Sequence, residues 1–310
     1  MRFAWTLPPA PDEAVAEAVA AEELGFDAVW IDAGGATPPP VEPAAMAARL
    51  AEPTIGVRIG VTAAVGVEHP VELAEQMAVA DLAVGGRLVL AVRPVPGSGE
   101  RLAEVLDLLL DSLASHPFRH QGPAWPTPAN LAQNVFNVEQ RVRVTPPPAQ
   151  FEMPLWVAGR IGRDAAVERA LGVLADADEQ VDDLASWSAD ARRTHPFLAR
   201  RIRRAMRWLP PDGEGSLDVE AAVTGLRIAQ RAVDLDLVVV DHRGVTGDRV
   251  DDPGLRQAMM EAMARGVRPR LQLDRYPPGL EDHWVGESEP GAQDTVHQAT
   301  RQESRGISHG

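Results

Sequence analysis

The segment Gly159-Arg160-Ile161-Gly162-Arg163 gathers the densest chemistry in the chain. An apolar run, Leu155 to Ala158, precedes it, and a helical pattern from Arg163 to Leu171 follows. A strand-to-helix turn leaves main-chain N–H groups without partners, and the helix dipole adds partial positive charge, so such a turn suits an anion. Arg160 and Arg163 add charge-assisted, bidentate contacts; the alternative is plain turn chemistry with both arginines in solvent. Asp32 and the pair Asp241-His242 each close an apolar run. A carboxylate and an imidazole titrating near pH ~6.5 suit general acid–base catalysis, and Asp32 and His242 are the candidate catalytic residues. A cap or an ion pair is the plainer role for either. His116 and His120 invite a metal pair, but Pro117 opposes the helix it would need, so no metal site is assigned. His69, before Pro70, marks a helix entry. Arg200, Arg201, Arg203, Arg204 and Arg207 form a basic run that either meets an anionic ligand or, more plainly, pairs with acids on a solvated face.

These groups depend on the elements that carry them. From Val57 to Val92 two β-branched apolar runs, Val57 to Val65 and Leu88 to Val92, flank a segment with helical spacing. Pro70 opens that helix and Gly85-Gly86 closes it. Strands apolar throughout, joined by a helix, imply a parallel sheet covered on both faces. The same alternation recurs along the chain. Strands are expected at Arg2 to Leu7, Ala28 to Ile31, Leu155 to Ala158, Val173 to Ala175, Ile202 to Leu209 and Leu237 to Asp241. Helices are expected after Asp12, at about Val41 to Leu50, from Gly99 to Ser115, near Asp182 to Arg193, from Leu217 to Val233 and from Pro253 to Ala264. Eight strand–helix pairs predict an α/β fold, a single (β/α)8 TIM barrel over residues 1–276, with a doubly wound open sheet as the competitor. The Pro-, Asn- and Gln-rich stretch from Pro117 to Met153 breaks the rhythm before the fifth strand and is expected to cover a site, with a hairpin from Asn134 to Thr145. Residues 277–310 are polar and unpatterned and are expected to be a disordered tail.

Composition narrows the classes. The 310 residues are 45% apolar, ample for a core, and carry a formal charge of −15, which opposes nucleic acid or an anionic membrane as partner. No apolar run approaches the roughly 18 to 20 residues that span a bilayer, and MRFAWTLPPA does not read as a signal peptide. A cytoplasmic protein is expected. There is no cysteine, hence no disulfide or thiolate chemistry. The sequence also contains no lysine, which excludes a Schiff base.

Three segments in register carry a resemblance: AEELGFDAVWI (Ala21 to Ile31), RIGVTAAVGVEHPVELAEQMAVADLAVGGRLVLAV (Arg58 to Val92) and VTPPPAQFEMPLWVAGR (Val144 to Arg160). Together they resemble the bacterial luciferase-like monooxygenases, TIM-barrel oxidoreductases that use reduced FMN or a deazaflavin. The likeness spans roughly Arg2 to Arg270, and FRHQGPAW and NVFNVEQRVRV fall where that family inserts a hairpin before its fifth strand. The resemblance implies a flavin-dependent reaction on a small organic substrate, with a flavin reductase as possible supplier of reduced flavin and a dimer as a frequent assembly. It implies that Thr62, Ala63, Ala64 and Arg93 lie about the cofactor ring and that Gly159, Arg160, Gly162 and Arg163 lie at its phosphate. His116, His120 and Trp125 fall in the covering insertion. The sequence also departs from the family. Asp32 to Thr37 lacks the histidine common after the second strand, Leu90-Ala91-Val92-Arg93-Pro94-Val95 replaces a glycine-flanked turn, and Leu174-Ala175-Asp176-Ala177 stands where Gly-Asp-Gly-Trp is frequent. These departures keep a second expectation open: a non-catalytic barrel subunit, pairing with an active homologue, or a ligand-binding relative.

Overall fold

The computed structural model describes residues 1–33, 42–66, 68–128, 140–213, 216–242 and 252–272. The strands are β1 (Arg2–Thr6), β2 (Ala28–Asp32), β3 (Arg58–Val65), β4 (Leu88–Pro94), β5 (Leu155–Ala158), β6 (Gly172–Ala175), β7 (Arg204–Trp208), a short antiparallel pair β8 (Asp212–Gly213) and β9 (Ser216–Leu217), and β10 (Leu237–Val240). All but β8 and β9 are parallel neighbours in sequence order, and β1 pairs with β10 through Arg2↔Leu237 to Trp5↔Val240. That pairing closes the sheet and excludes the open alternative. The fold is the (β/α)8 barrel that the strand–helix alternation predicts.

The helices are α1 (Pro11–Glu23), α2 (Pro43–Arg49), α3 (Pro70–Ala83), α4 (Leu102–Leu113), α5 (Arg163–Glu168), α6 (Val181–Thr194), α7 (Val219–Val233), α8 (Pro253–Ala262) and α9 (Arg268–Gln272). Four of them open on proline, whose missing N–H costs nothing there. His69 caps α3, its Nδ1 accepting the Val71 N–H at 3.3 Å. Several boundaries shift from the sequence expectation for local reasons. Asp218 accepts the Ala221 N–H at 3.0 Å, so α7 begins at Val219 and leaves Leu217 in β9. A 3-10 turn, Gly99–Arg101, takes up the start expected for α4.

Side chains alternate along each strand, which separates two cores. Outward residues such as Phe3, Val29, Ile59 and Leu90 pack under the helices, while the inner face is mostly small: Ala4, Ala28, Ala91, Ala158 and Ala205. The space they leave holds two indoles, Trp30 and Trp156, with ring centroids 6.3 Å apart. Burying an indole removes roughly 200 Å² from water, worth about 5 kcal/mol. Gly60 and Gly172 make the room: a Cβ on Gly60 would lie 2.0 Å from Trp30, and one on Gly172 would lie 2.6 Å from Trp156. The Trp30 indole N–H donates to Thr62 Oγ1 at 2.8 Å. The lumen is therefore filled, and ligands are left with its ends.

The insertion is described over 117–128 and 140–153. Phe118 bridges Val142, and His120 bridges Thr127, each antiparallel. Of the hairpin expected from Asn134 to Thr145, residues 134–139 lie outside the described residues. Glu104 of α4 fastens the near lobe, accepting the N–H of Ala124 at 3.0 Å and of Trp125 at 2.8 Å. The far end is tied by Asp81 of α3, which accepts the Gln150 N–H at 2.9 Å and its side-chain amide at 2.8 Å. Residues 34–40 of the loop after β2 and the expected tail also lie outside the described residues.

Candidate active site at the barrel mouth

The inner-face alternation determines what reaches the C-terminal mouth. Asp32 follows Trp30, Ala64 follows Thr62, Arg93 follows Ala91, Asp176 follows Leu174, Arg207 follows Ala205 and Asp241 follows Val239. The mouth is thus built from charged residues above a neutral lumen. Arg207 Nη2 donates to Asp32 Oδ2 at 2.8 Å and to Asp241 Oδ2 at 2.6 Å, so one nitrogen bridges two carboxylates. All three side chains are buried. Burial raises the Asp241 pKa, the Arg207 charge opposes that rise, and Asp32 adds to it. Across the mouth Arg93 grips Asp176 with both terminal nitrogens, one contact at 3.0 Å, and both side chains remain about a quarter exposed.

Ala64 is the exposed residue of β3 and lies in register with Arg93. Thr62 points into the lumen, where its hydroxyl serves Trp30, and Ala63 turns outward into the helix-covered core. Of the three, Ala64 offers its side chain to the mouth. Thr62 and Ala63 bring backbone.

Gly159 and Gly162 shape the turn after β5, with φ of +87° and +88°, a left-handed conformation that glycine adopts without strain. A Cβ at Gly162 would also lie 1.9 Å from Leu102. The main-chain N–H groups of Arg160, Ile161, Gly162 and Arg163 donate to no protein group among the described residues. The two arginines differ. Arg163 is buried: its Nε donates to the Gly159 carbonyl at 3.1 Å, its fork grips Glu179, and its guanidinium lies 5.4 Å from the Trp187 ring centroid. Arg160 is exposed and meets Asp183 at 3.1 Å, a pair that solvent weakens. The donor set, four N–H groups and one exposed guanidinium, fits a phosphate monoester, with Arg163 fixing the turn from behind.

His242 sits apart from these groups. Its ring packs 5.4 Å from that of Trp5, on the outer side of β1, and among the described residues its nitrogens form no hydrogen bond of good geometry. Burial lowers its pKa, with Glu17 pulling the other way and Arg256 adding to the fall. Trp5 donates to Glu17 at 2.9 Å, and Arg256 donates to Glu17 at 2.5 Å, so His242 borders a buried network joining α1 to α8. His120 Nε2 lies 3.5 Å from Glu104 Oε1 under the insertion. Among the described residues no group of three or more His, Asp or Glu is arranged to hold a metal.

Sequence reasoning named Arg207 in a basic run and Asp176 in a departure from the family, but placed neither at the mouth. The basic run does not form one solvated face: Arg204 and Arg207 are buried, Arg203 meets Asp236 at 3.0 Å, and Arg200 and Arg201 are exposed. The period-2 pattern Ala205-Met206-Arg207 would have shown Arg207 sharing the inner face with Ala205. Glu179 carried no signal, because its pairing with Arg163 is set by the approach of two loops.

A barrel closed by eight parallel strands, with charged residues and a glycine turn at its C-terminal mouth, defines a TIM-barrel protein of the kind that binds ligands at that face. The family model for luciferase-like monooxygenase matches residues 2–205, and the chain belongs to that family. Solved structures share the fold at low identity. A monooxygenase from Streptomyces bottropensis is 16% identical, with a TM-score of 0.63 over 87% of this chain and 100% of that one. The oxygenating constituent of 3,6-diketocamphane monooxygenase from Pseudomonas putida, in complex with FMN, is 14% identical, with a TM-score of 0.64 over 87% and 98%. The coenzyme F420 dependent tetrahydromethanopterin reductase from Methanopyrus kandleri is 15% identical, with a TM-score of 0.64 over 86% and 98%. No curated protein sequence matches the chain.

Proposed function

We propose that this protein is a flavin- or deazaflavin-dependent oxidoreductase of the monooxygenase type, acting on a small organic substrate at the barrel mouth. The observation that carries the reading is the turn after β5, where four main-chain N–H groups with no protein acceptor among the described residues lie beside the exposed Arg160. FMN and F420 are the cofactors named for two relatives of the same fold. In this reading Gly159, Arg160, Gly162 and Arg163 hold the phosphate: Arg160 and the backbone by contact, Arg163 by fixing the turn. Ala64, the backbone of Thr62 and Ala63, and Arg93 border the ring. A bound flavin or deazaflavin supplies the redox chemistry, and the chain supplies orientation and shielding. The lobe held by Glu104 shields the mouth from water. Asp32, held together with Asp241 by Arg207, is the acid–base group at the mouth in this reading, and His242 packs on the outer side against Trp5. A cytoplasmic enzyme served by a separate flavin reductase, as a homodimer or paired with a homologous barrel, completes the proposal.

One observation favours a second reading. The Arg93–Asp176 grip bridges β4 and the end of β6 over the intervening β5, beside Gly159, on a side of the mouth where a tricyclic ring would need space. A barrel that kept this clasp shut would be a non-catalytic subunit or a ligand-binding relative. Titration with FMN and with F420, oxidised and anaerobically reduced, separates the two. The oxidoreductase reading expects micromolar binding, weakened roughly tenfold by Arg160→Ala through loss of one charge-assisted bond. Failure of both cofactors in both redox states would reject it and leave the second.

A further inference from the structure

We infer that the connection between α6 and β7, at the end of the barrel opposite the mouth, is a docking surface for an acidic segment of another protein that carries an apolar side chain. α6 returns from the mouth and ends at Thr194, and β7 starts at Arg204, which places residues 195–203 at that far end. The chain there is not slack. The Ala199 N–H donates to the His195 carbonyl at 2.9 Å, and the Arg201 N–H donates to the Leu198 carbonyl at 2.9 Å. Ala199 and Ile202 are buried, and the Ala199 carbonyl accepts a bond of 2.7 Å from the buried guanidinium of Arg204. Pro196 fixes one more backbone dihedral. The turn is therefore pinned from inside, and its outer side presents Phe197, 83% exposed, with Arg200 and Arg201 in solvent.

The plainer accounts of basic and apolar surface residues leave these three over. Cations at a helix C-terminus offset the helix dipole, and Arg192 and Arg193 in the last turn of α6 do so. Both also meet acids, Arg193 with Asp190 and Arg192 with Asp234 at 4.0 Å. Arg200 and Arg201 lie beyond the helix and take part in no ion pair among the described residues. A single exposed apolar residue is ordinary, and Phe197 alone would carry nothing. Its setting does. The turn beneath it is already bonded, so the ring has no core to fold into, and two arginines follow within four residues. Aromatic rings and arginines concentrate binding energy in interfaces, and a turn held in place before docking avoids most of the ordering cost.

Charge complementarity selects the occupant. A nucleic acid or an anionic bilayer would lie against far more of the surface than this turn and meet the repulsion of a chain with net charge −15. A short acidic segment covers the turn alone. Charges farther than about 8 Å are screened at physiological salt, so such a segment responds to Arg200 and Arg201 more than to the charge of the whole chain. Planar guanidinium forks suit carboxylates, and the Phe197 ring asks for an apolar side chain beside them. A partner held here leaves the mouth open, because the two lie at opposite ends of the barrel.

The test is selection from a displayed random-peptide library on the immobilised full chain, counter-selected on the double variant Arg200→Gln with Arg201→Gln. Peptides kept by the wild type and rejected by the variant are expected to carry clustered carboxylates beside an aromatic or aliphatic residue. Made with a fluorescent label, such a peptide should bind saturably by anisotropy and weaken as salt is raised. It should weaken roughly tenfold in the double variant and in Phe197→Ser, and bind Arg160→Gln as it binds the wild type. All these positions are exposed, and unchanged melting temperatures verify that the variants are folded. Recovery of no peptide that depends on Arg200 and Arg201, or of dependent peptides without acids, overturns the inference. So does a peptide indifferent to Phe197→Ser. Vesicles of phosphatidylcholine with phosphatidylglycerol and a single-stranded oligothymidylate are run alongside; variant-sensitive binding to either in place of the peptide assigns the turn to a bilayer or a nucleic acid and also overturns it. Each of these outcomes leaves the proposed cofactor site at the mouth intact.

Discussion

Replacing Glu179 by alanine tests how the turn after β5 is held. Glu179 and Arg163 have side chains 1% and 6% exposed and meet through two parallel contacts, one at 2.5 Å. Removing the carboxylate strands a guanidinium whose remaining support is one bond to the Gly159 carbonyl and the Trp187 face. Breaking a buried pair from one side costs about 3–5 kcal/mol. At roughly 2–4 °C per kcal/mol for a chain of this size, the melting temperature should fall by about 6–20 °C. Replacing both residues, Arg163→Met with Glu179→Leu, removes the stranded charge and should recover most of the loss, since apolar substitutes for buried pairs are often neutral. Urea unfolding of the wild type, both single variants and the double variant gives the coupling energy directly. A loss below about 1 kcal/mol for Glu179→Ala, or a double variant no more stable than Glu179→Ala, would refute the claim that this pair fixes the turn.

Three further outcomes are expected. Gly60→Ala places a methyl group 2.0 Å from Trp30, which is tethered to Thr62, and should cost about 1–3 kcal/mol with a shift in indole fluorescence; an unchanged urea midpoint would contradict the packed lumen. Asp81→Ala leaves the Leu88 N–H, the Gln150 N–H and the Gln150 amide without their buried acceptor, and should cost about 3 kcal/mol or more in urea unfolding. His242, whose pKa burial lowers, binds its proton more readily unfolded than folded. Its neutral form therefore supports the fold above the ordinary imidazole value near pH ~6.5, and that support is lost as pH falls through the lowered folded value. Unfolding followed from pH ~7.5 downward should show this loss, and His242→Gln should flatten that part of the curve; an identical slope in the variant would remove His242 as its cause.

Much of the architecture was legible in the sequence because it rests on local rules. Uniformly apolar runs such as Leu237 to Val240 can be buried on both faces only in a covered parallel sheet, and prolines at 11, 43, 70 and 253 with Gly85-Gly86 mark helix ends by backbone constraint alone. The turn from Gly159 to Arg163 was legible for the same reason, since it is contiguous and its glycines hold conformations that other residues adopt at a cost. What the sequence left undecided was direction and partner. Closure of the barrel depends on β1 meeting β10 across more than two hundred residues, which no local pattern encodes. That Arg163 faces Glu179 while Arg160 faces solvent, that His242 lies behind β10 against Trp5, and that Arg93 reaches Asp176 over β5 all follow from strand register and loop approach. Side-chain chemistry is written in the chain residue by residue. Which charges neutralise one another is decided by distance, and distance is set when the barrel closes.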